Sequence, residues 1–98
     1  MEERYRLIIS TILQALGVRV EVERMLATGR IDLVAWLSRY IYVIELKLSN
    51  NGGLAAAEQQ IRSCGYTEPF KADKRRVVGL AVELDSEGKG LIDWKVVE

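Results

Sequence analysis

The chain has 98 residues, of which 49% are hydrophobic and 29% charged, and this composition predicts one folded domain over residues 1–98, which could itself be a fragment of a longer protein. Fourteen basic and fourteen acidic residues give a formal net charge of zero, which excludes a highly basic protein that coats nucleic acid. The absence of histidine and the single cysteine, Cys64, exclude a serine–histidine triad, a histidine-containing zinc finger and an intrachain disulfide.

The sequence has no feature of a membrane protein. No apolar run approaches the roughly 18 to 20 residues that a membrane-spanning helix needs. The charged start, MEERYR, does not resemble a signal peptide. We therefore expect a cytoplasmic protein with no membrane partner.

The first predicted element is an amphipathic helix over residues 2–16. Its apolar residues recur at helical spacing and are Tyr5, Ile8, Ile9, Ile12, Leu13 and Leu16. The polar residues expected mostly on the opposite side are Arg4, Arg6, Ser10, Thr11 and Gln14. Gly17 follows the last periodic residue and is suited to end the helix, because glycine readily adopts the left-handed conformation. Val18, Val20 and Val22 then alternate with polar residues, which predicts a strand.

A tight hairpin is predicted next. Residues 30–37 and 40–49 are rich in β-branched and aromatic side chains, and only Ser38 and Arg39 separate them. If these two residues form the turn, the numbers of each facing pair sum to 77. This register places Asp32 directly opposite Glu45.

The second half of the chain predicts a helix and two more strands. Residues 54–64 are rich in helix formers and are followed by Gly65, a helix stop. Strands are predicted over residues 76–84 and 91–97, with a turn-rich segment between them. The predicted order is α-β-β-β-α-β-β, which indicates an α/β sandwich in which helices flank a central mixed sheet.

The hairpin brings together residue types that suit metal-dependent chemistry. Two facing carboxylates repel each other, and a bound cation would remove the conflict. Alternation places Lys47 on the face of Glu45, with Arg30 opposite it. Two carboxylates without imidazole or thiolate suit Mg²⁺ or Mn²⁺, and such a set fits phosphodiester hydrolysis. The alternative is that Asp32 and Glu45 are ordinary exposed strand charges and that Lys47 forms a surface ion pair.

The segments GRIDLV, residues 29–34, and IELKL, residues 44–48, resemble the PD-(D/E)XK nuclease superfamily, whose members have a restriction-endonuclease-like fold. The chain looks most like the small nuclease domain often found C-terminal to an ATPase-like domain. The resemblance implies metal-dependent cleavage of nucleic acid, with Asp32 and Glu45 as metal ligands and Lys47 as the catalytic lysine.

One position departs from the family pattern, and the first helix adds a candidate third ligand. Ile31 replaces the usual proline, a departure that many members share. Glu2 is the proposed third metal ligand, because its helical position is nearer the apolar stripe than that of Glu3, and Glu23 is a weaker alternative. Glu2 could instead only favour the positive end of the helix dipole.

Three residues are assigned supporting or substrate-binding roles. Gln60 and Tyr66 resemble the family's glutamine and tyrosine downstream of the lysine. Alternatively, Gln60 occupies a solvated position of the helix and Tyr66 is an aromatic residue that packs on the core. Arg30 is included because it faces Lys47 in the predicted register.

Two functions are therefore expected from different classes. The first is a nuclease domain that uses Mg²⁺ or Mn²⁺ and acts on nucleic acid, on DNA rather than RNA, with an ATPase-like domain or a second copy as further partner. The second is a nuclease-fold module that no longer cuts and binds nucleic acid or a partner ATPase.

Overall fold

The computed structural model describes residues 1–97. Its helices and strands are α1 (Glu2–Ala15), β1 (Arg19–Leu26), β2 (Gly29–Trp36), β3 (Tyr40–Leu48), α2 (Gly53–Ser63), β4 (Arg76–Leu84) and β5 (Leu91–Val97), with a 3₁₀-helix at Glu68–Phe70 between α2 and β4. This order confirms the predicted α-β-β-β-α-β-β arrangement and the restriction-endonuclease-like sandwich. Neither α-helix within these residues has the length and apolar character needed to cross a membrane.

The five strands form one mixed sheet in the order β1-β2-β3-β4-β5. Neighbouring strands are antiparallel except for β3 and β4, which run parallel because α2 carries the chain across between them. The predicted hairpin register is confirmed for the four pairs from Trp36–Ile41 to Leu33–Ile44, and the direct pairing predicted for Asp32 and Glu45 does not form. The N–H of Leu37 donates to the carbonyl of Tyr40 at 2.8 Å and closes the turn.

The two helices pack on opposite faces of the sheet, since the β3 residues buried with α1 alternate with those buried with α2. Helix α1 covers β1, β2 and β3, and α2 covers β3, β4 and β5. The buried residues on the α1 face are Tyr5, Leu33, Ile44, Leu46, Val82 and Leu84. Those around α2 include Val34, Ile41, Val43, Ala57, Ile61, Tyr66 and Ala81. The sheet is therefore buried on both sides at its centre.

The predicted orientation of α1 is wrong in part. Arg6 and Ser10, expected on the polar side, are buried. Three residues of the predicted apolar stripe are exposed instead, namely Ile8, Ile12 and Leu16. The helix contacts the sheet through Tyr5 and Ile9, and Arg6 turns toward acidic residues of β1 and β2 that pair with its charge.

Gly79 lies where β4, β5 and α2 meet. A Cβ atom at this position would stand 2.6 Å from the carbonyl oxygen of Val97 and 3.1 Å from Cγ2 of Ile61. We expect Gly79→Ala to lower the free energy of unfolding by about 1–3 kcal/mol, because the backbone of Val97 must move. Urea denaturation measures this change, and an unchanged midpoint would contradict the close β4–β5 approach.

Candidate active site

The predicted site begins where β2 leaves regular pairing. The β1–β2 register is continuous except at Glu23 and Asp32, and Glu23 has a positive φ of 57°. The β2–β3 register ends with Leu33 and Ile44, one position before Asp32 would face Glu45. Oδ2 of Asp32 instead accepts the N–H of Leu46 at 2.8 Å. The strands separate at Asp32, and the hydrogen bond from Leu46 then holds the Asp32 carboxylate against the backbone of β3.

Glu45 has the most unusual surroundings of the carboxylates that the structure describes. It is 2% exposed, and its Oε1 atom is buried without a hydrogen-bond partner among the described residues. Burial, reinforced by the negative charge of Asp32, raises the pKa of Glu45 to about 8. Burial likewise raises the pKa of Asp32, although the Leu46 N–H and the Arg6 guanidinium oppose this. A buried carboxylate oxygen without a donor is costly unless a cation or a proton satisfies it.

Both carboxylates open into a cavity of about 380 Å³. It is lined by Glu2, Met25, Gly29, Arg30, Asp32, Glu45, Lys47 and Gln60. The structure thus brings six of the seven predicted site residues to one cavity. The seventh, Tyr66, is fully buried next to it and contacts Gln60.

Glu2 reaches the cavity from the first turn of α1. Burial and the charge of Asp32 raise the pKa of Glu2 above its usual value. However, within residues 1–97 no group of three or more His, Cys, Asp or Glu side chains is arranged to hold a metal ion. The weaker alternative, Glu23, forms ion pairs with Arg6 at 3.0 Å and with Arg30 at 2.9 Å. The third-ligand role of Glu2 therefore remains a prediction.

Arg6 is a residue of this site that the sequence reasoning missed. Its side chain is buried, and Nη1 lies 3.9 Å from Oδ1 of Asp32 and 4.0 Å from Oε2 of Glu2. Nη2 donates to Oε1 of Glu23 at 3.0 Å. A signal was present, because residues four apart share a helix face and an inward Glu2 brings Arg6 inward with it. Arg6 partly neutralises the acidic residues beneath α1.

Gln60 and Tyr66 form a short hydrogen-bond chain at the cavity wall. Nε2 of Gln60 donates to the Tyr66 hydroxyl at 3.0 Å, and that hydroxyl donates to the carbonyl of Arg30 at 3.1 Å. Gly29 permits this contact, because a Cβ there would lie 2.5 Å from the hydroxyl. The end of α2 is thereby tied to the start of β2, and Gln60 is held at the cavity.

We expect Tyr66→Phe to destabilise the protein by about 1–2 kcal/mol, because the Arg30 carbonyl and the Gln60 amide each lose a partner in a largely buried place. Thermal and urea denaturation measure the loss. Gln59→Ala, which alters the neighbouring exposed position of α2, is the matched control. Equal stability of Tyr66→Phe and wild type would show that the hydroxyl does not hold the two elements together.

The residues present fit a hard divalent cation. The cavity holds carboxylate oxygens and neither imidazole nor thiolate, which is the ligand chemistry of Mg²⁺ and Mn²⁺. The unpartnered Oε1 of Glu45 is an oxygen that such an ion would satisfy. Two protein carboxylates suffice for Mg²⁺ when waters and substrate phosphate supply the remaining ligands.

Two comparisons relate this chain to known proteins. A protein of Azotobacter chroococcum mcd 1, called an uncharacterized protein in the vnfD 5′ region, is 27% identical over 82 residues. These residues are 84% of this chain and 16% of that protein, so the chain spans about a sixth of the relative's length. The sequence profile of the PD-(D/E)XK nuclease superfamily matches residues 1–94. The chain therefore belongs to the PD-(D/E)XK nuclease superfamily.

Proposed function

We propose that this chain is a divalent-metal-dependent nuclease domain that hydrolyses phosphodiester bonds of nucleic acid. Membership of the superfamily supports a nuclease-like domain and a nucleic-acid substrate. The observation that carries the proposal is the buried Oε1 of Glu45, which lacks a partner and belongs to the same cavity as Asp32 and Lys47. A fold selected for stability alone has little reason to keep such an oxygen.

Asp32 and Glu45 would hold Mg²⁺ or Mn²⁺, with Glu2 as an additional ligand from α1. The Leu46 N–H fixes Oδ2 of Asp32, so this carboxylate is oriented before any ion arrives. Arg6 lies on the other side of Asp32 and limits the repulsion among the acidic groups in the absence of metal.

The remaining residues supply positioning and charge. A bound divalent ion would lower the pKa of a water and polarise the phosphoryl group. Lys47 lines the same cavity, and its ammonium would orient the attacking water and offset the negative charge that develops at phosphorus. Arg30 and Gln60 also line the cavity and would contact the phosphate or sugar of the substrate.

We propose DNA as the first substrate to test. Because the net charge is zero, binding must rely on local contacts rather than on a broad positive field. An attached or partner ATPase-like domain would supply further substrate contacts.

The proposal is tested by incubating the protein with single-stranded, duplex and branched DNA and with RNA, in Mg²⁺, in Mn²⁺ and in excess chelator. We expect cleavage of at least one substrate with either ion and none with chelator, because no histidine is present to replace the ion as activator of water. Cleavage that persists in chelator would contradict the proposed mechanism.

One observation favours the alternative function, a nuclease-fold module that binds nucleic acid or a partner ATPase without cutting. In the part of the chain that the structure describes, no set of three ligating side chains stands ready for a metal. Calorimetric titration with Mn²⁺ separates the two functions. Binding that depends on Glu45 supports the nuclease, whereas the absence of binding supports the alternative.

A further inference from the structure

Strand β5 forms an unusually apolar edge of the sheet. Its exposed apolar residues are Leu91, Ile92, Trp94 and Val96, each 50 to 61% accessible. Trp94 pairs with Val82 and Val96 pairs with Leu80, so both side chains lie on the α1 face of the sheet. Helix α1 packs on β1, β2 and β3, so that no element within residues 1–97 covers this part of the face. Exposed edge strands of this kind are usually blunted by proline, charge or a covering element.

The backbone of β5 presents hydrogen-bonding groups outward at Trp94. Its N–H donates to Oδ1 of the adjacent Asp93 at 2.8 Å and is therefore not bonded to β4. Along an antiparallel strand every second residue points its N–H and C=O to the same side, so Val96 also presents its groups outward. The register irregularity near Leu84 lies at the start of β5 and leaves residues 93–97 regular.

The charges of β5 flank Trp94 symmetrically. Asp93 and Lys95 lie on the opposite face from Trp94, and Lys95 is held there by Glu58 of α2 at 2.9 Å. Asp93 is in direct register with Glu83 of β4, and like charges so placed repel each other. A positively charged side chain placed beside Asp93 would relieve this repulsion.

We propose that a second copy of this chain docks on β5 by antiparallel pairing of the two β5 strands, centred on Trp94 of each copy. In this register Asp93 faces Lys95 of the second copy, and the reciprocal pair forms by symmetry. The two Trp94 side chains meet on the α1 face, and the two sheets become one ten-stranded sheet. The Trp94 N–H pairs with the second copy, and the Asp93 carboxylate turns to Lys95 of that copy.

Charge selects this register over its neighbours. Pairing of the outward groups also permits registers centred on Asp93 or on Lys95. The first would place Asp93 opposite its own copy and the second would place Lys95 opposite its own copy, and both arrangements repel. A register centred on Val96 would pair fewer residues and leave both charges unmatched. Only the Trp94 register joins opposite charges twice.

The size of the contact predicts a weak dimer. Two short strands and their exposed apolar side chains would bury roughly 1,000 Å² in total, which is at the lower limit for specific interfaces. We therefore expect a dissociation constant on the order of micromolar rather than nanomolar.

The test is sedimentation velocity of wild type, Asp93→Lys and Lys95→Asp over a range of concentrations. Each single variant places like charges opposite each other, so we expect its self-association to weaken at least about tenfold. An equimolar mixture of the two variants restores opposite charges in both pairs, because one chain carries two lysines and the other two aspartates. The mixture should therefore form a heterodimer of about wild-type strength.

Circular dichroism checks that both variants fold, since Lys95→Asp also removes the bond to Glu58. Trp36→Phe leaves Trp94 as the single tryptophan, and its fluorescence should shift to the blue as the dimer forms. A wild type that stays monomeric at millimolar concentration would overturn the proposal. Variants that associate as strongly as wild type, or a mixture that stays monomeric, would overturn the register. None of these readouts depends on nuclease activity, so their outcome is separate from that of the proposed function.

Discussion

Asp32→Asn should abolish metal-dependent cleavage, with a loss of at least about a thousandfold in rate, because a neutral amide is a far poorer ligand for Mg²⁺ than a carboxylate. The amide oxygen can still accept the Leu46 N–H that Oδ2 accepts in the wild type. The hairpin should therefore keep its register, and the loss should appear without unfolding. Initial rates on the preferred substrate, at saturating Mg²⁺ and Mn²⁺, measure the effect.

The matched control for this variant is Glu87→Gln, which neutralises an exposed acid in the β4–β5 turn. It should cleave at the wild-type rate. If Asp32→Asn retained robust activity while Glu87→Gln behaved normally, Asp32 would not be a metal ligand and the proposed mechanism would be wrong.

Glu45→Gln should stabilise the metal-free protein at neutral and alkaline pH. The folded-state pKa of Glu45 is about 8, against an ordinary value of 4.5, so the folded protein retains a proton that the unfolded chain releases. The contribution of Glu45 to the free energy of unfolding is therefore greatest below about pH 4.5 and falls as the pH rises to about 8. The expected fall is on the order of 5 kcal/mol, since each pKa unit corresponds to about 1.4 kcal/mol and the pKa rises from 4.5 to about 8.

The variant should lose the largest part of this pH dependence and keep a smaller part, because the pKa values of Asp32 and Glu2 are also raised. Urea denaturation between pH 5 and pH 9 in chelator measures how the free energy of unfolding of the wild type and of the variant depends on pH. Glu58→Gln is the control. Hydrogen bonds from Lys95 and Arg62 lower the pKa of the Glu58 carboxyl, so this group cannot make the stability fall as the pH rises. A wild type whose stability rises with pH over this range would contradict the buried, protonated state of Glu45.

Mn²⁺ should reverse the loss of stability that the wild type shows as the pH rises. A cation binds the ionised carboxylate, so it should restore stability at pH 8 by mass action. Glu45→Gln should gain much less from Mn²⁺ than the wild type gains.

Much of the fold was predictable because short-range rules decide it. The two-residue turn at Ser38 and Arg39, together with alternation along β3, determines the register that brings Asp32 and Glu45 to the same place. What the turn could not reveal is that the paired register stops one position earlier. That break depends on Glu23 of β1 and on the Leu46 N–H, which are contacts between strands rather than within the hairpin.

The orientation of α1 could not be read from periodicity. Hydrophobic spacing favoured a face that includes Ile8 and Ile12, yet the structure buries Arg6 instead. A charged side chain can be buried only when partners meet it, and the partners of Arg6 are Asp32 and Glu23, more than fifteen residues away in sequence. Trp94 is similar: its strand was predicted, but the exposure of that strand at the sheet edge depends on the strand order.

The central claim is that Asp32 and Glu45 hold one divalent cation, and anomalous diffraction from a crystal soaked in Mn²⁺ tests it most directly. We expect one anomalous peak within bonding distance of Oε1 of Glu45 and of the Asp32 carboxylate, and its loss in Glu45→Gln. A peak at other residues, or no peak at saturating Mn²⁺, would contradict the claim.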